Sequence, residues 1–533
     1  MDTISGQLLK SMFISASNNL FNHYPEIDAL NVFPVPDGDT GMNMNLTMSS
    51  GAKEINNKND NDVYNIAKAF SRGLLMGARG NSGVITSQIF RGFAKSLEGK
   101  TVIDKYTLAE AFVAGKESSY KAVMRPVEGT ILTVIRESSE ALMRLGEQKH
   151  SMEQLFEILL NEAKASLART PQLLPVLKEV GVVDSGGAGL VAILEGMYKA
   201  LKGEFVEKNT EGQQIVKDTE TSDEHGYELT LEFYVIKDGS KKQYIEKHFK
   251  DFAINRGKNL LITKLGDDKY SISIYTLRPG TFLAYLQQFG EFEKIDIIPH
   301  MKDKKVERTN SIRKKNAIIA VSAGNGMDEL FKSIGATMIV SGGQTMNPSI
   351  EDFMKAIKQC NADNIFILPN NSNIVMAANQ ACEVNDTNCE IRVIPSKTIP
   401  QGLVSILVFS DSEDINTNYN NMKAALKNVK SGSVTYAIKD TDIEGVHVTK
   451  DYYMGLRDKQ IITCVKNKNE ALRNLLSNMI SKDSNLVTII GGDDVSKKEL
   501  EALKVELIKQ YSSVQFNFIE GKQPVYSYIV GVE

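Results

Sequence analysis

The sequence predicts a multidomain protein with an all-α N-terminal domain, a small α+β middle domain and an α/β C-terminal domain. Three observations predict it. Apolar residues recur at helical spacing from Ile4 to about Leu201, with little β-branched alternation. Beyond a charged stretch the period switches to two. From Ala317 onward short β-rich runs alternate with helical ones, the pattern of a parallel sheet carrying helices on its faces. The length agrees, because 533 residues exceed what one core supports.

In the first domain, Ile4, Leu8, Met12 and Ala16, then Ala67, Phe70, Leu74 and Leu75, then Ile131, Val134, Ile135, Ala141 and Leu142 mark apolar faces. The whole of 1–205 reads as about eight helices. "KGEFVEKNTEGQQIVKDTETSDEHG" interrupts the pattern and predicts a linker at 206–225. "YELTLEFYVI", "NLLITKL" and "YSISIYTL" read as strands. A segment ending near Phe252 and "GTFLAYLQQFG" read as helices, completing a middle domain at 226–300. The charged run from His300 to Asn316 predicts a second linker at 301–316. In the last domain, 317–533, "AIIAVSAG", "TMIVSGG", "NIFILPN" and "IRVIPS" are strands, and "IEDFMKAIKQC" and "IVMAANQAC" are helices. Past Gly402, "SVTYAIKD", "KQIITCV" and "LVTIIGG" add strands and "NEALRNLLSNMI" a helix.

Composition narrows the function. A net charge of -4 without a long basic block argues against a nucleic-acid partner. Cys360, Cys382, Cys389 and Cys464 lack paired CxxC spacing, so they read as reduced packing residues. No apolar run approaches the roughly 20 residues that cross a bilayer, and "MDTISGQLLKSMF" lacks a basic region before an apolar one. A cytoplasmic protein is expected.

Four glycine-rich stretches precede or open helical runs: "PDGDTG", "GARGNSG", "PVEGT" and "VVDSGGAGL". Loops gathered at one end of a helical domain would give this arrangement. Pro34 and Pro36 bar a helix, so one begins only after Asp39, with Thr40 as the expected N-cap. Asp37 and Asp39 then stand beside the positive end of that helix. Taken alone, Asp-Gly is also a common turn. Yet two carboxylates one residue apart, stiffened by proline, suit Mg²⁺, which takes one or two protein carboxylates and fills its shell with water and phosphate. Such a metal turns carboxylate–phosphate repulsion into a bridge. "GARGNSG" offers backbone amides and the Ser82 hydroxyl to phosphate oxygens, although it lacks the GK[ST] of a P-loop and no strand precedes it. The other two stretches read equally as plain helix starts, capped by Thr130 and Asp184.

Together, "NVFPVPDGDTGMNMNLTM", "GLLMGARGNSGVITSQIFRGF", "PVEGTILTVIRE" and "TPQLLPVLKEVGVVDSGGAGL" closely resemble the ATP-binding L-type domain of the dihydroxyacetone kinase family. The fuller spelling resembles bacterial fatty acid kinase catalytic subunits, and "SGGQTMNPSIEDF" and "ILPNNSNIVMAANQA" extend the likeness across nearly the whole chain. The resemblance implies a barrel of antiparallel helices whose loops at one end hold Mg-ATP, usually through a pair of Mg²⁺ ions. Asp37 and Asp39 match the catalytic, metal-holding carboxylates, and Asn31 falls nearest a third metal position that is aspartate in simpler members. Thr40, Gly41 and Asn43 match the turn that meets the phosphates. Gly80, Asn81 and Ser82 match the glycine loop over them, and Gly129, Thr130, Asp184 and Gly186 the positions framing the nucleotide.

The resemblance further implies a fatty acid substrate held by a separate DegV-like carrier protein, an acyl phosphate product that feeds phospholipid synthesis, and a homodimer. The C-terminal domain itself resembles the DegV-like fold, with a scaffold for dimerisation or carrier docking as its expected role. Family members often carry a Cys and a His-x-His pair in the middle domain. Here Thr230, Ser273 and Tyr275 stand near those positions, so no zinc is expected there, and His225, His248 and His300 read as surface or linker residues. Alternative readings are a kinase of a small hydroxy or keto substrate such as dihydroxyacetone, and a nucleotide-binding regulator without catalysis. "SGGQTMNPS" is also readable as an ordinary strand-to-helix turn.

Overall fold

The computed structural model describes residues 2–32, 38–145, 150–209, 225–237, 241, 244, 248–249, 252–253, 256–264, 268–301, 313–344, 346–437, 440–443, 446–458 and 460–533. These divide into two compact units, Met1–Lys208 with Arg313–Glu533, and Asn209–Ile312.

The N-terminal domain consists of α1 (Gly6–Ala29), α2 (Thr40–Asn56), α3 (Val63–Gly77), α4 (Gly80–Ser96), α5 (Lys105–Ala122), α6 (Ile131–Arg144), α7 (Met152–Leu173), the single short α8 (Pro175–Val180) and α9 (Ser185–Leu201). Starts are set by side chains that satisfy the orphan amides of a first turn: Ser5, Asp62, Asp104 and Ser151 each accept a hydrogen bond from a backbone N–H of the helix they precede. Each long helix packs on the next, and α9 returns to pack on α1, so the eight long helices close a ring. Inside it, Phe13 stacks on Phe70 with centroids 4.2 Å apart, and Phe90, Phe93, Phe112 and Phe156 extend the aromatic core. In an up-and-down ring every second helix starts at the same end. Those helices are α2, α4, α6 and α9, the four that the glycine-rich stretches precede.

The unit formed by 209–312 holds one antiparallel sheet, ordered β2-β3-β1-β4, from β1 (His225–Val235), β2 (Lys258–Lys264), β3 (Lys269–Thr276) and β4 (Gly290–Met301). Helix α10 (Pro279–Leu286) contributes Phe282 and Leu286 to a core with Leu229, Leu231, Phe233, Ile272 and Ile274. His225 opens β1, one residue inside the expected linker, and His300 lies in β4 opposite Gly226. Thr230 faces Ser273 across the sheet, with hydroxyl oxygens 3.3 Å apart.

The C-terminal domain opens with β5 (Lys314–Ser322), α11 (Asn325–Ser333), β6 (Met338–Ser341), α12 (Ile350–Cys360), β7 (Ala362–Leu368), α13 (Val375–Glu383), β8 (Glu390–Val393), α14 (Ile399–Leu407) and α15 (Ile415–Ala425). Its four strands form the expected parallel sheet, ordered β6-β5-β7-β8. The remainder comprises β9 (Lys430–Tyr436), β10 (Thr441–Ile443), β11 (Val446–Val448), β12 (Tyr453–Arg457), β13 (Gln460–Val465), α16 (Lys468–Met479), β14 (Leu486–Gly491), α17 (Lys497–Gln510), β15 (Gln515–Glu520) and β16 (Tyr526–Val532). Six of these strands build a second sheet, β13-β12-β9-β16-β14-β15, in which only β14 and β15 run parallel, while β10 and β11 pair antiparallel with each other in a separate ribbon. The apolar C-terminal strand β16 inserts antiparallel between β9 and β14 and so joins the two halves of the sheet.

The helical ring and the parallel sheet share one apolar cluster. Ala78 and Val84, which flank the second glycine loop, are fully buried with Ile319, Val321, Ile350, Phe353 and Ile374. All four cysteines are free thiols, and Cys360 is buried in that cluster. No described helix is long and apolar enough to cross a membrane.

Candidate active site

The helix starts converge as the ring requires. Ser82 Oγ, in the first turn of α4, lies 3.4 Å from the carbonyl oxygen of Thr40, the first residue of α2. Ile131 of α6 lies against Gly186 of α9, and Met44 of α2 against Gly189 of α9. Four sets of first-turn amides and four positive dipole ends therefore meet at one end of the domain, a setting that favours a polyanion.

At the start of α2, Asp39 occupies the N-cap position, and Thr40 is already the first helical residue. The expected Thr40 cap is thus displaced by one position. Asp39 makes no side-chain cap bond; its buried carboxylate instead accepts a hydrogen bond through Oδ2 from Asn347 Nδ2, at 2.6 Å. The Met42 N–H is served from outside the helix, by Asp28 Oδ1 at 3.1 Å. Burial pushes the Asp28 carboxyl up to about 6, and the neighbouring Asp39 charge acts in the same direction. Gly41 permits this approach: a β-carbon there would fall 2.3 Å from the Tyr24 carbonyl oxygen. Asn43 is buried, donates its N–H to the Asp39 carbonyl oxygen and lies against Gly80, whose φ of +58° suits glycine. Asn31 is buried just after α1, its N–H bonded to the Asp28 carbonyl. Asp37 lies outside the described residues.

The second glycine loop is held from the C-terminal domain. Asn81 Nδ2 reaches Asn373 Oδ1 at 3.3 Å, Arg79 Nη1 donates to the Asn347 carbonyl at 2.8 Å, and Arg79 pairs with Ser349 in an isolated antiparallel bridge. The "SGGQTMNPS" stretch is indeed a strand-to-helix turn between β6 and α12, but one that carries Asn347 to Asp39. Asn347 is 3% exposed, and its Oδ1 accepts no hydrogen bond among the described residues. It also borders a cavity of about 650 Å³ whose wall includes Met42, Asn43 and Arg79.

At the other pair of helix starts, Thr130 caps α6, with Oγ1 3.3 Å from Leu132 N, and Asp184 caps α9, with Oδ2 2.7 Å from Gly187 N. Both expected caps are present. Gly129 donates its N–H to Thr133 Oγ1. Complete burial pushes the Asp184 carboxyl up to about 6, against the lowering effect of the Gly187 N–H. A raised carboxyl favours the folded state below the ordinary range near 3.8, and that advantage is lost as pH rises through about 6. Asp184→Asn keeps an efficient cap and removes the titration. Its stability relative to wild type should therefore rise between pH 4 and pH 6.5, by about 3 kcal/mol at most, as read by urea unfolding at the two pH values.

The donor set fits a hard cation. Beside the Asp39 carboxylate stand the amide side chains of Asn43 and Asn347, and the orphan Oδ1 of Asn347 is the kind of buried oxygen that an ion or its water satisfies. Among the described residues no group of three His, Cys, Asp or Glu side chains could hold a metal.

Residues 34–199 match the DAK2 domain model, and residues 317–533 match the FakA-like C-terminal model of fatty acid kinases. Protein YloV of Bacillus subtilis is 42% identical over 553 aligned positions, covering 100% of this chain and 99% of that protein. Among solved structures, a fatty-acid-binding DegV family protein from Thermus thermophilus is 11% identical, with a TM-score of 0.31 over 41% of this chain and 99% of its own. Dihydroxyacetone kinase from C. freundii, in complex with AMP-PNP and Mg²⁺, is 16% identical, with a TM-score of 0.30 over 38% of this chain and 35% of that one. By its DAK2 match the N-terminal domain is of a phosphotransferase class. The chain belongs to the FakA-like fatty acid kinase family.

Asp28, Arg79 and Asn347 were not among the residues the sequence pointed to. Asp28 had a weak signal: an acidic residue in the last turn of a helix faces an unfavourable dipole and implies another partner.

Proposed function

We propose that this chain is the ATP-dependent catalytic component of a fatty acid kinase, transferring the γ-phosphoryl group of ATP to the carboxylate of a fatty acid held by a DegV-like carrier. The observation that carries the reading is the gathering of four helix starts at one end of the helical domain, with the buried carboxylate of Asp39 at one of them, in a chain of this family. Backbone amides of α2 and α4, with the Ser82 hydroxyl, would bind phosphate oxygens; Thr130, Asp184 and their glycines would frame the nucleotide. Asp37 and Asp39, with Asn31 nearby, would hold Mg²⁺, a pair of ions on the family pattern. The metal, when bound, supplies charge neutralisation at the transferring phosphoryl group.

The chemistry asks little else of the protein. A fatty acid carboxylate is already ionised at neutral pH, so no general base is needed, and alignment with charge stabilisation does the work. One carboxylate oxygen bonds to the γ-phosphorus, the bond to the β,γ-bridging oxygen breaks, and ADP leaves with that electron pair. We further propose the division 1–205 for nucleotide, 226–300 as a middle domain and 317–533 as a scaffold for carrier docking, in a cytoplasmic homodimer.

Acceptor class is tested by coupled detection of ADP release from the purified full-length chain with Mg-ATP. Fatty acid plus DegV-like carrier should give turnover that neither gives alone. Turnover on dihydroxyacetone instead would move the chain to the small-molecule kinases, and nucleotide binding without turnover on any acceptor would make it a regulator.

A further inference from the structure

We propose that Asn347 is a positioning residue of the metal–nucleotide site, supplied by the C-terminal domain to orient Asp39. The inference rests on reading Asp39 as a metal-holding carboxylate. An aspartate at an N-cap normally turns its carboxylate back onto the amides of its own helix. Asp39 does not, and the group it meets instead is the Asn347 amide, 2.6 Å away and 308 positions along the chain.

Asn347 is well suited to fix that orientation. Its carbonyl takes the Arg79 guanidinium, Pro348 follows, and Ser349 closes a capping box with Asp352 at the start of α12. The backbone on both sides is thereby anchored, one side to the glycine loop of α4 and the other to the parallel sheet. The same Nδ2 lies 3.5 Å from Asn43 Oδ1, so one donor spans two residues of the α2 start. Meanwhile Oδ1 is buried and unmatched among the described residues. Most buried amides have both ends satisfied; an unmatched oxygen beside a buried carboxylate is suited to a metal ion or to the water that hydrates one. The C-terminal domain is then part of the nucleotide site as well as a scaffold.

The test titrates Mg²⁺ against binding of ADP by the full-length chain, followed calorimetrically. Asn347→Leu keeps the bulk and Asn347→Ala removes it; both should raise the Mg²⁺ concentration for half-saturation by about tenfold or more, measured well below the melting temperature of each variant. Gln380→Ala is the control, because Gln380 joins the same interface through Gln88, away from Asp39. It should leave the Mg²⁺ midpoint in place. An unchanged or lower midpoint in both Asn347 variants would overturn the proposal, as would an equal shift from Gln380→Ala, which would reduce Asn347 to a docking contact. A wild-type chain that binds no Mg-nucleotide would overturn the kinase reading itself and this inference with it.

Discussion

Asp39→Asn should lower phosphoryl transfer on the order of a hundred- to a thousandfold and leave the fold intact. The loss follows from charge. Asparagine is nearly isosteric but removes the anionic oxygen that a hard cation prefers, at the point where helix starts and metal must together neutralise the transferring group. The intact fold follows from an unusual feature of the N-cap. Asp39 makes no side-chain bond to its own helix, so replacing its carboxylate forfeits no cap energy. An amide oxygen at the same place still accepts from Asn347 Nδ2. Thermal unfolding should therefore match wild type while ADP formation in the carrier-dependent assay collapses; a folded variant with full activity would remove Asp39 from the chemistry. Asp37→Asn should behave likewise.

Gly41→Ala should damage stability and binding together. The added methyl would fall 2.3 Å from the Tyr24 carbonyl oxygen, 3.0 Å from Asp28 Oδ1 and 3.1 Å from Ile27 Cβ. The first of these is backbone and cannot rotate away, so α2 must move off α1 by about 1 Å, at a cost of about 1–3 kcal/mol. That shift also draws Met42 N from Asp28 and displaces the first-turn amides from the other helix starts. Denaturant unfolding and calorimetric Mg-ADP binding should both weaken. Wild-type stability with wild-type affinity would show that α1 and α2 tolerate separation, contrary to the close packing described.

Much of this was legible in sequence because it is local. Helical spacing located the helices, while their closure into a ring was implied by the family resemblance; proline located the end of the first loop, and Thr130 and Asp184 were readable as caps by chemistry that acts over three residues. The parallel half of the C-terminal domain was legible for the same reason. Three things were not. Strand β4 alternates charged and apolar residues, Glu291, Glu293, Lys294 and Asp296 among them, and closes on Pro299, His300 and Met301, so its edge looked like the opening of a linker. The second sheet is mixed, and its strand β16 comes from the end of the chain to pair antiparallel with both β9 and β14, a pairing that no local pattern encodes. Asn347 reaches Asp39 only because Ala78 and Val84 are buried against the parallel sheet, and burial between distant segments leaves no period in either.

The most direct measurement of the central claim is chemical capture of the product. The full-length chain is incubated with Mg-ATP, a long-chain fatty acid and a DegV-like carrier, and hydroxylamine is added to trap acyl phosphate. Hydroxamate that depends on carrier and matches ADP in amount is the expected result. ADP released without hydroxamate, with a carrier proven competent beside another kinase, would contradict phosphoryl transfer to a fatty acid carboxylate.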